Sequence, residues 1–174
     1  MVNMPLVATV VALGVAAVSE ARLGTSTLEI PASLKIEHRE LHEELAAATK
    51  VSGRTGEAAR HVAELLHPHV VAEEEYALPQ LGLLRAVSAG QVPPESRDAI
   101  ALSDRLKAHL AEMLDEHKAI VAALGDLDRA ATAERQPQVV RFVEKLKVHA
   151  ETEEQVLYPA AILVGEHLKL AAAR

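Results

Sequence analysis

The sequence predicts an all-α protein, an antiparallel up-down-up-down four-helix bundle. Although 49% of the 174 residues are hydrophobic, only 2% are aromatic. The apolar content is mostly alanine, leucine and valine, interspersed with glutamate, which is typical of helices. Apolar residues recur in alternating steps of three and four, the spacing of the buried seam in such a bundle. A pattern of His and Glu also occurs twice, 80 residues apart, and this repeat predicts a duplicated helical hairpin.

An apolar N-terminal segment, residues 1–28, precedes the predicted four-helix domain, residues 29–172. The run from Leu6 to Val18 has the length of the apolar region of a signal peptide, and a small-residue cleavage site follows it. However, no Lys or Arg precedes the run, and it is short for a membrane span. The segment is therefore either an extra helix or a signal or anchor. We expect a cytoplasmic protein, with export or membrane anchoring as the alternative, and membrane contact only through residues 4–18.

Proline, glycine and hydroxyl residues mark the ends of the first two helices. The first helix is expected to begin near Pro31 and Ser33, because proline suits a first turn and serine can cap it. It should end before Gly53. The second helix should begin after Thr55 and end before Pro79.

A loop containing glycines and a Pro-Pro pair, residues 82–94, leads to the second predicted hairpin. Its first helix is long, from about Glu95 to Arg129. The last helix should start around Pro137 and be interrupted at Pro159, because proline cannot continue the helical hydrogen bonds. A short helical tail is expected to follow.

The repeated pattern is His-x3-Glu, at His69 and Glu73 and again at His149 and Glu153. On a helix this spacing places an imidazole and a carboxylate on the same face, one turn apart. Each copy is followed by a second Glu and by a proline ten positions after the His. This is the spacing expected of two ligands to one metal ion.

Every predicted helix carries a polar residue on its apolar seam. His38 lies on the first helix and His117 on the third, each within a Glu-His-basic triplet, and the His-x3-Glu pairs lie on the second and fourth. The seam of the fourth helix is expected to continue with Val156 and Ala160. An ionised carboxylate buried without a partner costs several kcal/mol. Four His and two Glu in one core therefore predict a pair of metal ions between the helices.

His42 is a seventh candidate ligand. It lies four residues after His38, about 40° further round the helix, so both imidazoles could reach one metal ion. The alternative is a solvent-facing His beside Glu43 and Glu44; we favour the ligand role. The other four histidines are not candidate ligands and are interpreted as structural or exposed: His61, His67, His109 and His167.

Composition restricts both the metal and the partners. The chain has no cysteine, which excludes thiolate zinc sites, iron–sulfur clusters and thiol chemistry. A metal must therefore be held by nitrogen and oxygen, which suits iron, although manganese or zinc would also bind. The net charge of −7 argues against a nucleic-acid partner.

This motif resembles the pattern of the hemerythrin-like (HHE) cation-binding domain family: His, His-x3-Glu, His and His-x3-Glu on successive helices. The resemblance covers about Pro31 to Val164. It implies two non-haem iron ions, bridged by the two carboxylates and by an oxo or hydroxo group. Oxygen-carrying hemerythrins have a His-x3-His pair on the third helix and a His-x4-Asp motif on the fourth. Here the His pair is on the first helix, which weakens a direct inference of oxygen transport.

The ligand count suggests where a small molecule would bind. With His38, His42 and His69 on one iron, the other iron, held by His117 and His149, keeps an open position. Dioxygen, or a similar ligand such as peroxide or nitric oxide, is expected there.

The expected function is therefore oxygen or redox sensing, storage or scavenging by a di-iron protein. Two alternatives stay open: a di-iron oxidoreductase acting on peroxide or nitric oxide, and a structural metal site in a module that binds another protein. No catalytic residue is assigned.

Overall fold

The computed structural model describes residues 28–173. Residues 1–27 of the apolar N-terminal segment lie outside the described residues, so its role stays a prediction. The described part of the chain is all-helical and contains no strand. Within residues 28–173, no helix combines the length and the hydropathy needed to cross a bilayer.

Four long helical segments match the four predicted ones, although two of them contain a change of helix type. The α-helices of the described residues are α1 (Ala32–Ala48), α2 (Arg54–Ala72), α3 (Leu84–Ser88), α4 (Ser96–Ala133), α5 (Pro137–Thr152) and α6 (Tyr158–Ala172). Two π-helical turns, Glu73–Ala77 and Glu153–Leu157, extend α2 and α5, and a 3-10 helix, Pro79–Leu83, precedes α3. The predicted loop between the hairpins is thus partly helical.

Helix α4 lies at the centre of the packing. It contacts α2 on one side and α5 and α6 on another, while α1 packs against α2 and α5. We refer to α1 and α2 as the first hairpin, and to α4, α5 and α6 as the second hairpin. The described residues therefore form a helical bundle in which each hairpin packs on the other.

The described residues form three apolar clusters, and two of them lie on opposite sides of a polar layer. The first apolar cluster includes Phe142 and Ile120, and the second apolar cluster includes Met113 and Tyr158. Along α4, Met113 and Ile120 belong to different clusters, and His117 lies between them in sequence. The predicted ligands thus occupy a layer that is closed by apolar side chains above and below.

Each π-helical turn begins at the Glu of a His-x3-Glu pair and ends two residues before a proline. Proline has no N–H to donate and its ring clashes with the carbonyl four residues earlier. The preceding residues bond five residues back instead: Leu78 N–H donates to the Glu73 carbonyl at 3.0 Å, and Tyr158 N–H donates to the Glu153 carbonyl. The fourth predicted helix is therefore widened, not interrupted, before Pro159.

The wider turn shifts the buried face of the last helix. Val156, predicted on the seam, is 56% exposed, whereas Tyr158 is fully buried. Ala161 is buried in place of the predicted Ala160, which is half-buried. The prediction for Val156 is wrong because a π-helical turn holds more residues per turn than the α-helical period that we assumed.

A close approach of α4 and α6 holds this last segment in place. Ser103 Oγ donates a hydrogen bond to the Ala161 carbonyl at 2.8 Å. A Cβ atom added at Gly165 would lie 2.3 Å from Ser103 Cβ, closer than two carbon atoms can approach. Glycine at 165 therefore lets α4 and α6 approach each other closely.

Candidate metal centre

Six of the seven predicted ligands meet in the polar layer. Each is buried, with an exposed fraction of 6% or less. They are His38, His69, Glu73, His117, His149 and Glu153. The structure therefore brings together one His from α1, one from α4 and both His-x3-Glu pairs; their role as ligands stays a prediction.

The six side chains form two groups, each compact enough to surround one cation. Cluster one consists of His69, Glu73, His117 and Glu153, whose potential ligand atoms lie within 4.8 Å of one another. In it, His69 Nε2 lies 3.4 Å from Glu73 Oε1, and His117 Nε2 lies 3.4 Å from Glu153 Oε2. The centroids of the two imidazole rings are 4.4 Å apart.

Cluster two consists of His38, His149 and Glu153, within the same distance limit of 4.8 Å. Glu153 Oε1 lies 3.0 Å from His149 Nε2 and 3.6 Å from His38 Nε2. Glu153 is thus common to both clusters: its Oε2 faces cluster one and its Oε1 faces cluster two. This is the position that a bridging carboxylate requires. Glu73 belongs to cluster one alone, which differs from the expectation that both carboxylates bridge the two ions.

The grouping of the histidines differs from the sequence-based expectation. We expected His38 with His69 and His117 with His149. Instead, His38 lies beside His149, with ring centroids 5.1 Å apart, and His69 lies beside His117. Each helix of a bundle has two neighbours, and spacing along one helix does not determine which neighbour shares its ion.

His42 is not part of either cluster. Its side chain is exposed, and its ring centroid lies 6.3 Å from that of exposed His67. The rotation of about 40° from His38 turns it towards the solvent side of α1 and α2. It also lines a cavity of about 20 Å³ whose walls include all six residues of the two clusters. The other histidines outside the clusters are exposed, as expected: His61, His67, His109 and His167.

Tyr158 belongs to the site, and the sequence reasoning missed it. Its hydroxyl donates to Glu73 Oε1 at 2.5 Å and lies 3.5 Å from His69 Nε2 and 3.4 Å from His117 Nε2. Its ring stacks on His117, with centroids 5.7 Å apart and planes inclined by 19°. The available signal was the proline after it, since a wide turn before proline brings this residue inward. The equivalent position in the first hairpin is Leu78, so the phenol makes the two clusters unequal.

The outward-facing nitrogens of the four imidazoles also have partners. Each Nδ1 atom lies 2.7 to 3.2 Å from the carboxylate of a partly exposed Glu on another helical segment. Glu74 and Glu154, the second Glu of each repeated pattern, are two of these four. They contact both solvent and the buried histidines.

The two buried carboxyl groups have opposite pKa shifts. Burial, together with the nearby charge of Glu153, raises the pKa of Glu73. Burial would also raise the pKa of Glu153, but its interactions with His117, His149 and His38 outweigh this and hold the pKa well below its usual range. Glu153 is therefore the ionised partner at neutral pH.

The histidines balance this charge in the metal-free protein. Burial lowers the pKa of His38 and His69, but the carboxylates of Glu153 and Glu73 outweigh burial and raise each pKa to about 9. The same balance raises the pKa of His149. Burial and the charges of Glu73 and Glu153 raise the pKa of Tyr158. Protons thus take the place that a cation would fill.

The donor set fits a metal cation. Two buried polar atoms, His38 Nε2 and Glu153 Oε1, make no hydrogen bond, although such atoms normally have a partner. Both lie in cluster two, where one cation would accept a lone pair from each. Imidazole nitrogen and carboxylate oxygen suit iron, manganese and zinc. The arrangement can therefore hold two cations joined by one carboxylate.

Comparisons with known proteins agree with this donor set. No curated protein and no solved structure matches the chain. One family model matches, over a range that holds His117, His149 and Glu153 and most of the second hairpin. Over residues 108–173 the chain matches the Hemerythrin HHE cation binding domain, the family that the sequence motif resembles.

Proposed function

We propose that the protein is a non-haem di-iron protein that binds dioxygen or a related small ligand, in oxygen or redox sensing, storage or scavenging. In this proposal residues 29–172 form a hemerythrin-like domain with up-down-up-down topology, and an oxo or hydroxo group accompanies the bridging carboxylate. The observation that carries it is the pair of buried clusters that share Glu153. Cytoplasm is the proposed compartment, with export or anchoring through residues 4–18 as the alternative.

Each cluster would hold one iron ion. His69, His117, Glu73 and Glu153 would hold the first, and His38, His149 and Glu153 the second. Iron in such a setting supplies one-electron chemistry and open positions for small ligands. The apolar clusters on both sides of the layer keep bulk water away and so favour ligands of the size of dioxygen.

The small ligand is proposed to bind at cluster two. Cluster one offers four donor side chains and the Tyr158 hydroxyl, whereas cluster two offers three donor side chains. Fewer protein donors leave more positions open. This proposal reverses our expectation from the sequence, which placed the open position on the ion held by His117. His42 lines the same small cavity as His38 and His149 of cluster two.

A di-iron oxidoreductase acting on peroxide or nitric oxide is the second candidate, and Tyr158 favours it. Reduction of either ligand consumes protons, and an acid held within hydrogen-bond reach accelerates such a step. The Tyr158 hydroxyl lies at cluster one, 3.5 Å from His69 Nε2 and 3.4 Å from His117 Nε2, and donates a hydrogen bond to Glu73 Oε1 at 2.5 Å. In this second candidate the peroxide or nitric oxide would therefore bind at cluster one, beside the hydroxyl. Reversible oxygen binding does not require this donor.

Metal analysis of the purified protein tests the proposal, together with the visible spectrum before reduction, after reduction and after return to air. We expect about two irons per chain and a spectrum that cycles. Glu153→Ala should lose iron from both clusters, while Glu151→Ala, a matched change at an exposed position two residues away, should keep it. A protein that holds only zinc and shows no spectral change would point to the structural metal site instead. Sustained peroxide turnover would favour the oxidoreductase.

A further inference from the structure

Four Glu residues outside the metal layer contact the outward nitrogens of the four buried histidines. In each contact a carboxylate oxygen lies close to an Nδ1 atom. The distances are 2.7 Å for Glu116 to His69, 3.0 Å for Glu154 to His117, 3.1 Å for Glu74 to His38 and 3.2 Å for Glu37 to His149. The nitrogen on the other side of each ring, Nε2, faces Glu73 or Glu153. All four rings thus have the same orientation.

Every one of these contacts joins two different helical segments. Glu37 on α1 reaches α5, and Glu154 in the second π-helical turn reaches α4. Glu116 on α4 then reaches α2, and Glu74 in the first π-helical turn returns to α1. The four contacts therefore form a closed ring around the bundle at the level of the metal layer. We call these four residues the outer glutamates.

The ring follows the internal repeat of the sequence. Glu37 and Glu116 each precede a His of the motif, and Glu74 and Glu154 each follow a Glu of the motif. None of the four contacts the His of its own Glu-His or His-x3-Glu unit. Two kinds of crossed contact therefore each occur twice, once in each copy of the repeat, which four independently placed surface residues would not do.

The outer glutamates are more than solvated surface residues, because each contacts a buried histidine. Their side chains are 39% to 47% exposed, whereas the histidines that they contact are 2% to 6% exposed. An exposed ion pair contributes little, but here one partner is a buried imidazole, whose N–H group needs a hydrogen-bond acceptor. A carboxylate on Nδ1 gives that N–H its acceptor.

The contact also determines which nitrogen can bind a metal. A neutral imidazole carries one proton, and the hydrogen bond at one nitrogen fixes where it sits. With the proton on Nδ1 and donated to a carboxylate, the lone pair is on Nε2, which faces the cluster. A ring turned over would place Nδ1 inward and leave the carboxylate without a donor.

We propose that Glu37, Glu74, Glu116 and Glu154 are positioning residues that fix the tautomer and orientation of four metal-binding histidines, each from a neighbouring helix. The inference rests on the proposed function only in requiring that the clusters bind a metal. It does not depend on iron, on dioxygen or on turnover.

Proton–nitrogen NMR of the Zn²⁺-loaded protein, labelled with 15N at histidine, tests the proposal directly. Zn²⁺ is diamagnetic, and the wild-type protein should show four slowly exchanging Nδ1–H signals from the buried rings. Glu116→Gln should shift the signal of His69, assigned with His69→Gln, more than that of His117, which follows Glu116 in the sequence and lies beside His69. Glu151→Gln, an exposed control, should shift neither. A shift at His117 as large as that at His69, or no shift at His69, would overturn the proposal.

Zn²⁺ titration gives a second measurement on the same variants. Loss of such a carboxylate typically weakens metal binding by 10- to 100-fold. We expect about tenfold weaker binding for Glu116→Ala, a smaller loss for Glu116→Gln, which keeps an acceptor oxygen, and unchanged stoichiometry. Equal affinity in wild type and Glu116→Ala would refute the positioning role while leaving the metal site intact. Failure of the wild type to bind Zn²⁺ would refute this inference, whereas the proposed function is tested separately by the iron content and the visible spectrum.

Discussion

Raising the pH should destabilise the metal-free protein across the range in which its buried histidines lose their protons. The folded-state pKa of His38 and of His69 is about 9, above the ordinary value of 6.5. The folded protein therefore holds protons that the unfolded chain has released. The stability that these bound protons contribute is fully present below pH 6.5 and is lost as the pH rises through 9. The raised pKa values of His149 and Glu73 act in the same direction.

The size of the effect follows from the pKa shift. A rise from 6.5 to about 9 corresponds to roughly 3 kcal/mol per histidine at about 1.4 kcal/mol per pKa unit. Both imidazoles interact with the same two carboxylates, so the contributions are coupled and sum to less than twice this value. The free energy of unfolding of a typical domain is about 5–15 kcal/mol in total. The loss is therefore a large fraction of the stability.

Urea unfolding, followed by circular dichroism in the presence of a chelator, measures this loss between pH 6.5 and 9.5. We expect the urea midpoint to fall steadily over this range. His61→Ala, which removes an exposed histidine, should reproduce the wild-type slope, and His38→Gln combined with His69→Gln should flatten it. A midpoint that is constant or rises with pH would refute the electrostatic account of the metal layer.

Further changes test other features of the site. Glu153→Ala should abolish metal binding at both clusters, whereas Glu73→Ala should spare cluster two, so metal analysis that gave equal losses would contradict the bridging role of Glu153. Tyr158→Phe should keep the metal content but lower any peroxide turnover; unchanged turnover would exclude the hydroxyl as proton donor. Gly165→Ala should cost about 1–3 kcal/mol by overpacking against α4, while Gly125→Ala, where a Cβ meets only a flexible side chain at 3.6 Å, should be neutral or stabilising by up to about 1 kcal/mol; denaturant unfolding distinguishes them. Saturating metal at about 100 times its dissociation constant should stabilise the protein by about 2.7 kcal/mol, and a melting temperature that does not move would argue against binding to the folded state.

The helical period was sufficient to bring the six motif residues together. His69 and Glu73 are one turn apart on an apolar seam, and so are His149 and Glu153, so their burial follows from side-chain direction alone. The same reasoning holds for His117, whose seam neighbours on α4 are buried. Where the backbone is a regular α-helix, position along the chain determines which side chains face inward.

Other features of the site could not be predicted from a regular helical period. Tyr158 is buried and Val156 exposed because a proline widens the preceding turn, and only a rule for that turn would have placed them. The partner of each histidine depends on which helices are neighbours, which a single helix does not specify. His42 differs from His38 by a small rotation, which is enough to move its ring from the layer to solvent.

Because both clusters draw ligands from both hairpins, each bound ion would crosslink distant parts of the chain. Cluster one takes His69 and Glu73 from the first hairpin, and cluster two takes His38, while His117, His149 and Glu153 come from the second. Residues 108–173, the range that the family model matches, contain only these last three. Metal release and separation of the hairpins would thus be coupled events. The ions would join the two copies of the repeat much as disulfides staple a small secreted domain, with bonds that a chelator can reverse.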